Sequence, residues 1–135
     1  EFVTRKIVRS AVRIKLGLDK ELHLGNLTAQ RDWGYAPDYV CGMWLMLQHD
    51  QPEDFVLATG RTHTVERFAE LAFQAVGLDY RDHVVQDARF VRPADVDLLV
   101  GDPAKAKKLL GWEATTSLEE LIEIMVNSEM QANGG

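Results

Sequence analysis

Helix punctuation constrains this chain more than any other feature. Thr4, Thr64 and Ser117 each stand where a hydroxyl can cap the first turn of a helix, and Gly17, Gly77 and Gly111 each stand where one should stop. A first helix is predicted from Thr4 to about Leu16, with Ile7, Val8, Ala11, Val12 and Ile14 on its apolar face and Lys6, Arg9 and Arg13 on another. Pro37 fits the first turn of a second, from Asp38 to Gln48. Its run Trp44-Leu45-Met46-Leu47 is apolar around most of the circumference, which predicts burial on more than one side. A third helix begins at Thr64, with Glu66 near its positive end and Val65, Phe68, Leu71, Ala72 and Ala75 facing inward. A fourth follows Gly101-Asp102-Pro103 and ends at Gly111. Ser117 with Glu120 forms a capping box for the last helix, to about Met130, with Asn133-Gly134-Gly135 fraying.

Between these helices lie short extended segments. Glu21 to Leu24 reads as a strand, Arg31 to Trp33 as extended, and Asp54 to Ala58 as a buried-type strand. Val84-Val85 is a weaker strand and Asp97 to Val100 a better one. Short strands alternating with helices predict an α/β fold, with no linker dividing residues 1–135.

Two arginines draw the functional reading. Arg31 stands at the mouth of an extended segment, before a tight Gly-Tyr-Ala-Pro-Asp connection, and Arg92 stands in Phe90-Val91-Arg92-Pro93-Ala94-Asp95. A guanidinium keeps its charge and matches a phosphate bidentately, so two of them on two loops could clamp a diphosphate. Either alone could equally be an ion-paired surface residue. Asp95 could orient Arg92 or cap the next segment.

A net charge of −6 argues against a general nucleic-acid binder, which needs a basic face. The charge is uneven. Arg5, Lys6, Arg9, Arg13 and Lys15 crowd the first fifteen residues, while Glu113, Glu119, Glu120, Glu123 and Glu129 stand in a last stretch without lysine or arginine. A local anionic ligand suits that arrangement. Cys41 is the only cysteine and lies in an apolar helical stretch, which predicts a buried, inert thiol in a reducing, cytoplasmic setting. His23, His49, His63 and His83 have no metal-ligand spacing, so no metal is expected. No apolar run reaches the roughly 18 residues of a membrane span.

Several strings occur in order: Phe2-Val3-Thr4-Arg5-Lys6-Ile7, Leu24-Gly25-Asn26-Leu27, Arg31 to Val40, Arg92-Pro93-Ala94-Asp95-Val96, and Leu99-Val100-Gly101-Asp102-Pro103 with Lys105-Ala106 and Leu110-Gly111-Trp112. Together they resemble the C-terminal part of the GDP-mannose 4,6-dehydratases, a family of extended short-chain dehydrogenases/reductases with a Rossmann-type fold. The resemblance covers nearly the whole chain. It implies a substrate-binding portion whose ligand is GDP-mannose or a related GDP-sugar. By motif matching it implies that Lys6, Leu22, His23, Leu24, Arg31 and Arg92 line that site. It matches His63 to a Thr-His pattern, where a structural hydrogen bond is the expected role. It further implies NADP as the parent enzyme's cofactor and a homo-oligomer.

The catalytic half of such an enzyme is not in this sequence. No G-x-G-x-x-G occurs, and Tyr35, Tyr39 and Tyr80 are followed four residues on by Tyr39, Met43 and Val84, never by lysine. The chain is therefore read as a fragment that neither turns over substrate nor binds NADP alone, with the missing N-terminal half as its partner. A sibling reductase or epimerase acting on a nucleotide sugar, or an inactive nucleotide-sugar-binding or oligomerisation piece, remains open at this stage.

Overall fold

The apolar stripes of three helices meet in one core. The computed structural model describes residues 3–51, 53–90 and 102–134. Helix α1 (Val3–Lys15) buries Ile7, Val8, Ala11, Val12 and Ile14, the face read from its periodicity, and Thr4 lies inside its first turn. Helix α3 (Val65–Ala75) buries Val65, Phe68, Ala69, Leu71, Ala72 and Phe73. Helix α5 (Leu118–Gly134) adds Leu118, Leu121, Ile122 and Val126 to the same cluster. Complete burial of a side chain the size of Phe68 or Ile7 stabilises by about 1.5–3 kcal/mol, so this three-helix layer carries the fold.

The predicted caps at Thr64 and Ser117 form, whereas Thr4, expected as a cap, is already helical. The Thr64 side chain accepts from the Arg67 backbone N–H at 3.0 Å. Ser117 and Glu120 exchange bonds, Ser117 N–H to Glu120 Oε1 and Glu120 N–H to Ser117 Oγ, both at 3.1 Å. Gly111 closes α4 (Ala104–Leu110) in the left-handed region at φ +68°. The last helix runs four residues beyond Met130, because the Asn133 amide bonds back to the Glu129 carbonyl at 2.8 Å and holds the final turn where fraying was expected.

Two small strand pairs flank the helices. Strand β1 (Leu22–Leu24) runs parallel to β4 (Val84–Gln86), with Leu22 opposite Val84 and Leu24 opposite Gln86. Strand β2 (Gln30–Arg31) runs antiparallel to β3 (His63–Thr64), with Arg31 opposite His63. Parallel strands separated by helices give the expected α/β architecture.

Helix α2 (Ala36–Gln48) overturns two expectations. Gly42 is its one buried position, while Trp44 is 59% and Leu47 82% exposed. Cys41 is exposed too. The helix packs on α4 through one side only, over a satellite cluster of Ala106, Trp112 and Ala114 with Tyr39, Leu45, Phe55, Leu57 and Leu110. Its other side leaves Val40, Met43, Trp44 and Leu47 exposed. Residues 53–58 share this fate. The pattern predicts a buried-type strand over Asp54 to Ala58, yet these residues pair with no strand among the described residues, and Val56 is half exposed. A β-strand needs a ladder for its N–H and C=O groups, and the described residues offer none. The Asp97 to Val100 strand, Arg92 and Asp95 lie outside the described residues. No described helix is long and apolar enough to cross a membrane.

Candidate functional site

The parallel pair β1–β4 ends in a charged loop. In parallel sheets, ligands sit outside the carboxyl ends of strands, so this end is where a ligand is sought. The Asp87 backbone N–H donates to the Leu24 carbonyl at 2.7 Å and ties the loop to β1. Leu22 and Leu24 turn their side chains into the core, each 2% exposed. His23, between them, turns the other way. Its Nδ1 lies 3.1 Å from Asp87 Oδ2 and its Nε2 lies 2.9 Å from Glu21 Oε2. Two carboxylates on one ring favour the imidazolium, which alone can donate from both nitrogens. The bond to Asp87, then that to Glu21, raises the His23 pKa above its ordinary value.

Asp87 also holds Arg89. The guanidinium forks onto the carboxylate, Nε at 3.1 Å from Oδ1 and Nη2 at 2.6 Å from Oδ2. That fork, then the Arg89 backbone N–H and His23, pulls the Asp87 pKa far below the usual carboxylate range. The next residue, Phe90, places its ring under Lys6, whose Nζ is 4.3 Å from the centroid. Arg89 approaches the same ring at 5.7 Å. The fold thus gathers Lys6, His23, Arg89 and Phe90 at one strand end, with cations at hand for an anionic group.

Arg31 belongs to the other strand pair. Its Nη1 donates to the Gln30 carbonyl at 2.8 Å. His63 is its strand partner. The following residue, Asp32, accepts from Thr59 and Gly60. Trp33 then lays its ring edge-on against Phe68 of α3, centroids 5.0 Å apart. After Trp33 the chain passes under Tyr39. A Cβ at Gly34 would overlap the Tyr39 hydroxyl, so any other residue there requires the Tyr39 ring to move. Burial first, then the charges of Asp32 and Asp38, pushes the Tyr39 pKa up. Asp38 in turn accepts from the Thr116 N–H at 3.2 Å, and its carbonyl accepts from Trp112 Nε1 at 2.8 Å.

Of the residues singled out from sequence, Lys6 and His23 come together through Asp87, Arg89 and Phe90. Leu22 and Leu24 spend their side chains on the core. Arg31 stands on a separate strand pair, and Arg92 lies outside the described residues. Sequence reading missed Asp87, Arg89 and Phe90. The available signal was the Asp-x-Arg spacing directly after a strand, in which the acid can fork its own arginine. Asp79 and Arg81 repeat it, with Arg81 Nη2 2.8 Å from Asp79 Oδ2. Among the described residues no group of acids, histidines and cysteines is placed to hold a metal.

This fold recurs in known structures. RMD from Pseudomonas aeruginosa, complexed with NADPH, superposes with a TM-score of 0.88 at 20% identity over 97% of this chain and 43% of its own. The UDP-glucose 4-epimerase of Thermotoga maritima superposes at 0.78, with 31% identity over 91% of this chain and 38% of its own. The architecture is that of an extended short-chain dehydrogenase/reductase. Within that class, residues 1–125 match the family GDP-mannose 4,6 dehydratase, and the chain belongs to it. GDP-mannose 4,6 dehydratase 1 of Arabidopsis thaliana is 51% identical over 96% of this chain. The human GDP-mannose 4,6 dehydratase is 44% identical over the same share. The chain spans 36% and 40% of the lengths of these two relatives.

Proposed function

We propose that this chain is the C-terminal, nucleotide-sugar-binding part of a GDP-mannose 4,6-dehydratase. Its task is to grip the GDP of GDP-mannose while chemistry takes place on the sugar. The observation that carries the reading is the basic strand end, Lys6, His23 and Arg89 around Phe90, in a chain belonging to this family. Arg31 and, by its place in the family pattern, Arg92 are assigned to the diphosphate. The short share of the relatives' length supports a larger enzyme whose remaining part holds the cofactor.

The parent reaction converts GDP-mannose to GDP-4-keto-6-deoxymannose with loss of water. Bound NADP supplies a hydride acceptor and donor for the sugar. The residues of this chain do not fit that cofactor: there is no glycine fingerprint at a strand-to-helix turn and no Tyr-x-x-x-Lys pair. What this chain contributes is alignment. Binding energy gathered at the nucleotide, remote from the reacting carbons, orients the sugar.

The test is GDP titration calorimetry on the full-length protein that carries this sequence. A hydrogen bond to a charged group contributes about 1.5–3 kcal/mol, so Arg31→Ala should weaken GDP binding roughly 10- to 100-fold. Arg31→Lys should recover only part, because lysine loses the fork. Arg81→Ala is the control, since Arg81 is spent on Asp79. Equal affinities for wild type and Arg31→Ala would remove Arg31 from the site.

A further inference from the structure

We propose that Asp32 is a positioning residue for Arg31. The inference rests on the reading of Arg31 as a diphosphate ligand.

Strands β2 and β3 pair over two residues each, Gln30 with Thr64 and Arg31 with His63. A ladder that short does not hold its own register. The two strands are also separated in sequence by all of α2 and residues 53–58. Something must lock the second strand beside the first. Asp32 does so with both carboxylate oxygens. Oδ1 accepts from the Thr59 backbone N–H at 3.2 Å and from the Thr59 hydroxyl at 2.5 Å, and Oδ2 accepts from the Gly60 N–H at 2.9 Å. Thr59 Oγ1 accepts in turn from the Arg61 N–H at 3.1 Å, which shapes the approach to β3. Gly60 takes φ +76°, and a Cβ there would sit 3.2 Å from Pro103 Cδ. The turn is thus specific in conformation and seated against the start of α4. One side chain, adjacent to Arg31, closes a ring: Arg31 to Asp32, across to Thr59 and Gly60, along to His63, and back across the ladder to Arg31.

The acid contributes against its own charge. A carboxylate beside a phosphate-binding arginine opposes the anion by simple electrostatics. If Asp32 were only a neighbouring negative charge, neutralising it would tighten GDP binding. As the lock of the β2–β3 register, its neutralisation must weaken binding, because the replacement amide presents a donor where the turn also donates. The sign of the effect separates the two.

The experiment is GDP titration calorimetry on the full-length protein, well below the melting temperature of each variant. Asp32→Asn should weaken GDP binding about tenfold, the cost of losing one bond to a charged acceptor. Thr59→Val removes the hydroxyl without touching charge and should weaken binding about threefold. Added to Arg31→Ala, Asp32→Asn should cost no more than about twofold further, because its effect passes through Arg31. Tighter or unchanged binding in Asp32→Asn, beside a weakened Arg31→Ala, overturns the positioning role. So does a full tenfold loss on top of Arg31→Ala. An Arg31→Ala protein that binds GDP normally overturns the ligand reading of Arg31 itself, a different result. If Asp32→Asn does not fold, Thr59→Val alone and combined with Arg31→Ala decides by the same criteria.

Discussion

Replacing Phe68 tests whether the core holds the Arg31 segment in place. Phe68 is completely buried on α3, and its ring receives Trp33 edge-on at 5.0 Å with an interplanar angle of 61°. Phe68→Ala removes the whole ring and should cost about 3–5 kcal/mol from lost burial plus the cavity left behind. Phe68→Leu keeps most of the apolar bulk. It loses the ring pair, about 0.5–1.5 kcal/mol, and leaves a smaller void, for a total of about 1–2.5 kcal/mol. In a chain of this size one kcal/mol moves the melting temperature by about 3–5 °C, so the leucine variant should melt roughly 3–12 °C lower. Urea unfolding followed by far-ultraviolet circular dichroism suits the measurement, since a Trp33 variant alters fluorescence. The decisive quantity is the coupling between Phe68→Leu and Trp33→Leu, expected at about 0.5–1.5 kcal/mol. Coupling indistinguishable from zero, with both singles destabilised, would refute the claim that this pair docks the Arg31-Asp32-Trp33 segment on α3.

Two further outcomes are expected. His23 has a raised pKa through Asp87 and Glu21, so its contribution to stability is fully present below its ordinary value near 6.5 and is lost as pH rises through the elevated value. A proton NMR titration should place its midpoint above 6.5, and His23→Gln should flatten the pH dependence of stability over that window; a midpoint at or below 6.5 would contradict the paired geometry. The exposed side of α2, Val40, Met43, Trp44 and Leu47, should drive self-association of the 135-residue chain in light scattering, and Trp44→Lys with Leu47→Lys should suppress it. A wild-type chain that stays monomeric at high concentration would count against that surface as an interface.

Local signals predicted local structure well. The caps at Thr64 and at Ser117 with Glu120, and the left-handed close at Gly111, depend on residues a few positions apart, and all of them form. The apolar stripe of α1 was legible because one face of it is buried by this chain alone. The readings of α2 and of Asp54 to Ala58 failed for the opposite reason. Their composition asks for partners on two sides, and the described residues supply one. Apolar pattern reports what a segment is built to bury, not whether the burying surface is present. Trp44, Leu47 and Val56 therefore stay exposed, and Val56 finds no ladder among the described residues.

The candidate site was half legible for a related reason. Lys6, His23 and Arg31 stand in motifs that a family resemblance can match one by one. Their partners do not announce themselves in that way. Asp87 reaches His23 across 64 positions of sequence, and Asp32 reaches Thr59 across 27. Such contacts exist only once β1 lies beside β4 and β2 beside β3. Both acids do the same kind of work: each sits beside or beneath a basic residue and fixes the backbone or ring that carries it. At the β1–β4 end this has an electrostatic consequence. Asp87 serves His23 and Arg89 at once, so it brings two cations together while offsetting part of their charge. That carboxylate holds Arg89, whereas Lys6 rests on the Phe90 ring and meets no carboxylate among the described residues. On the proposed GDP-binding reading, Lys6 is thus the cation at this strand end that would turn to an anionic group at the least cost.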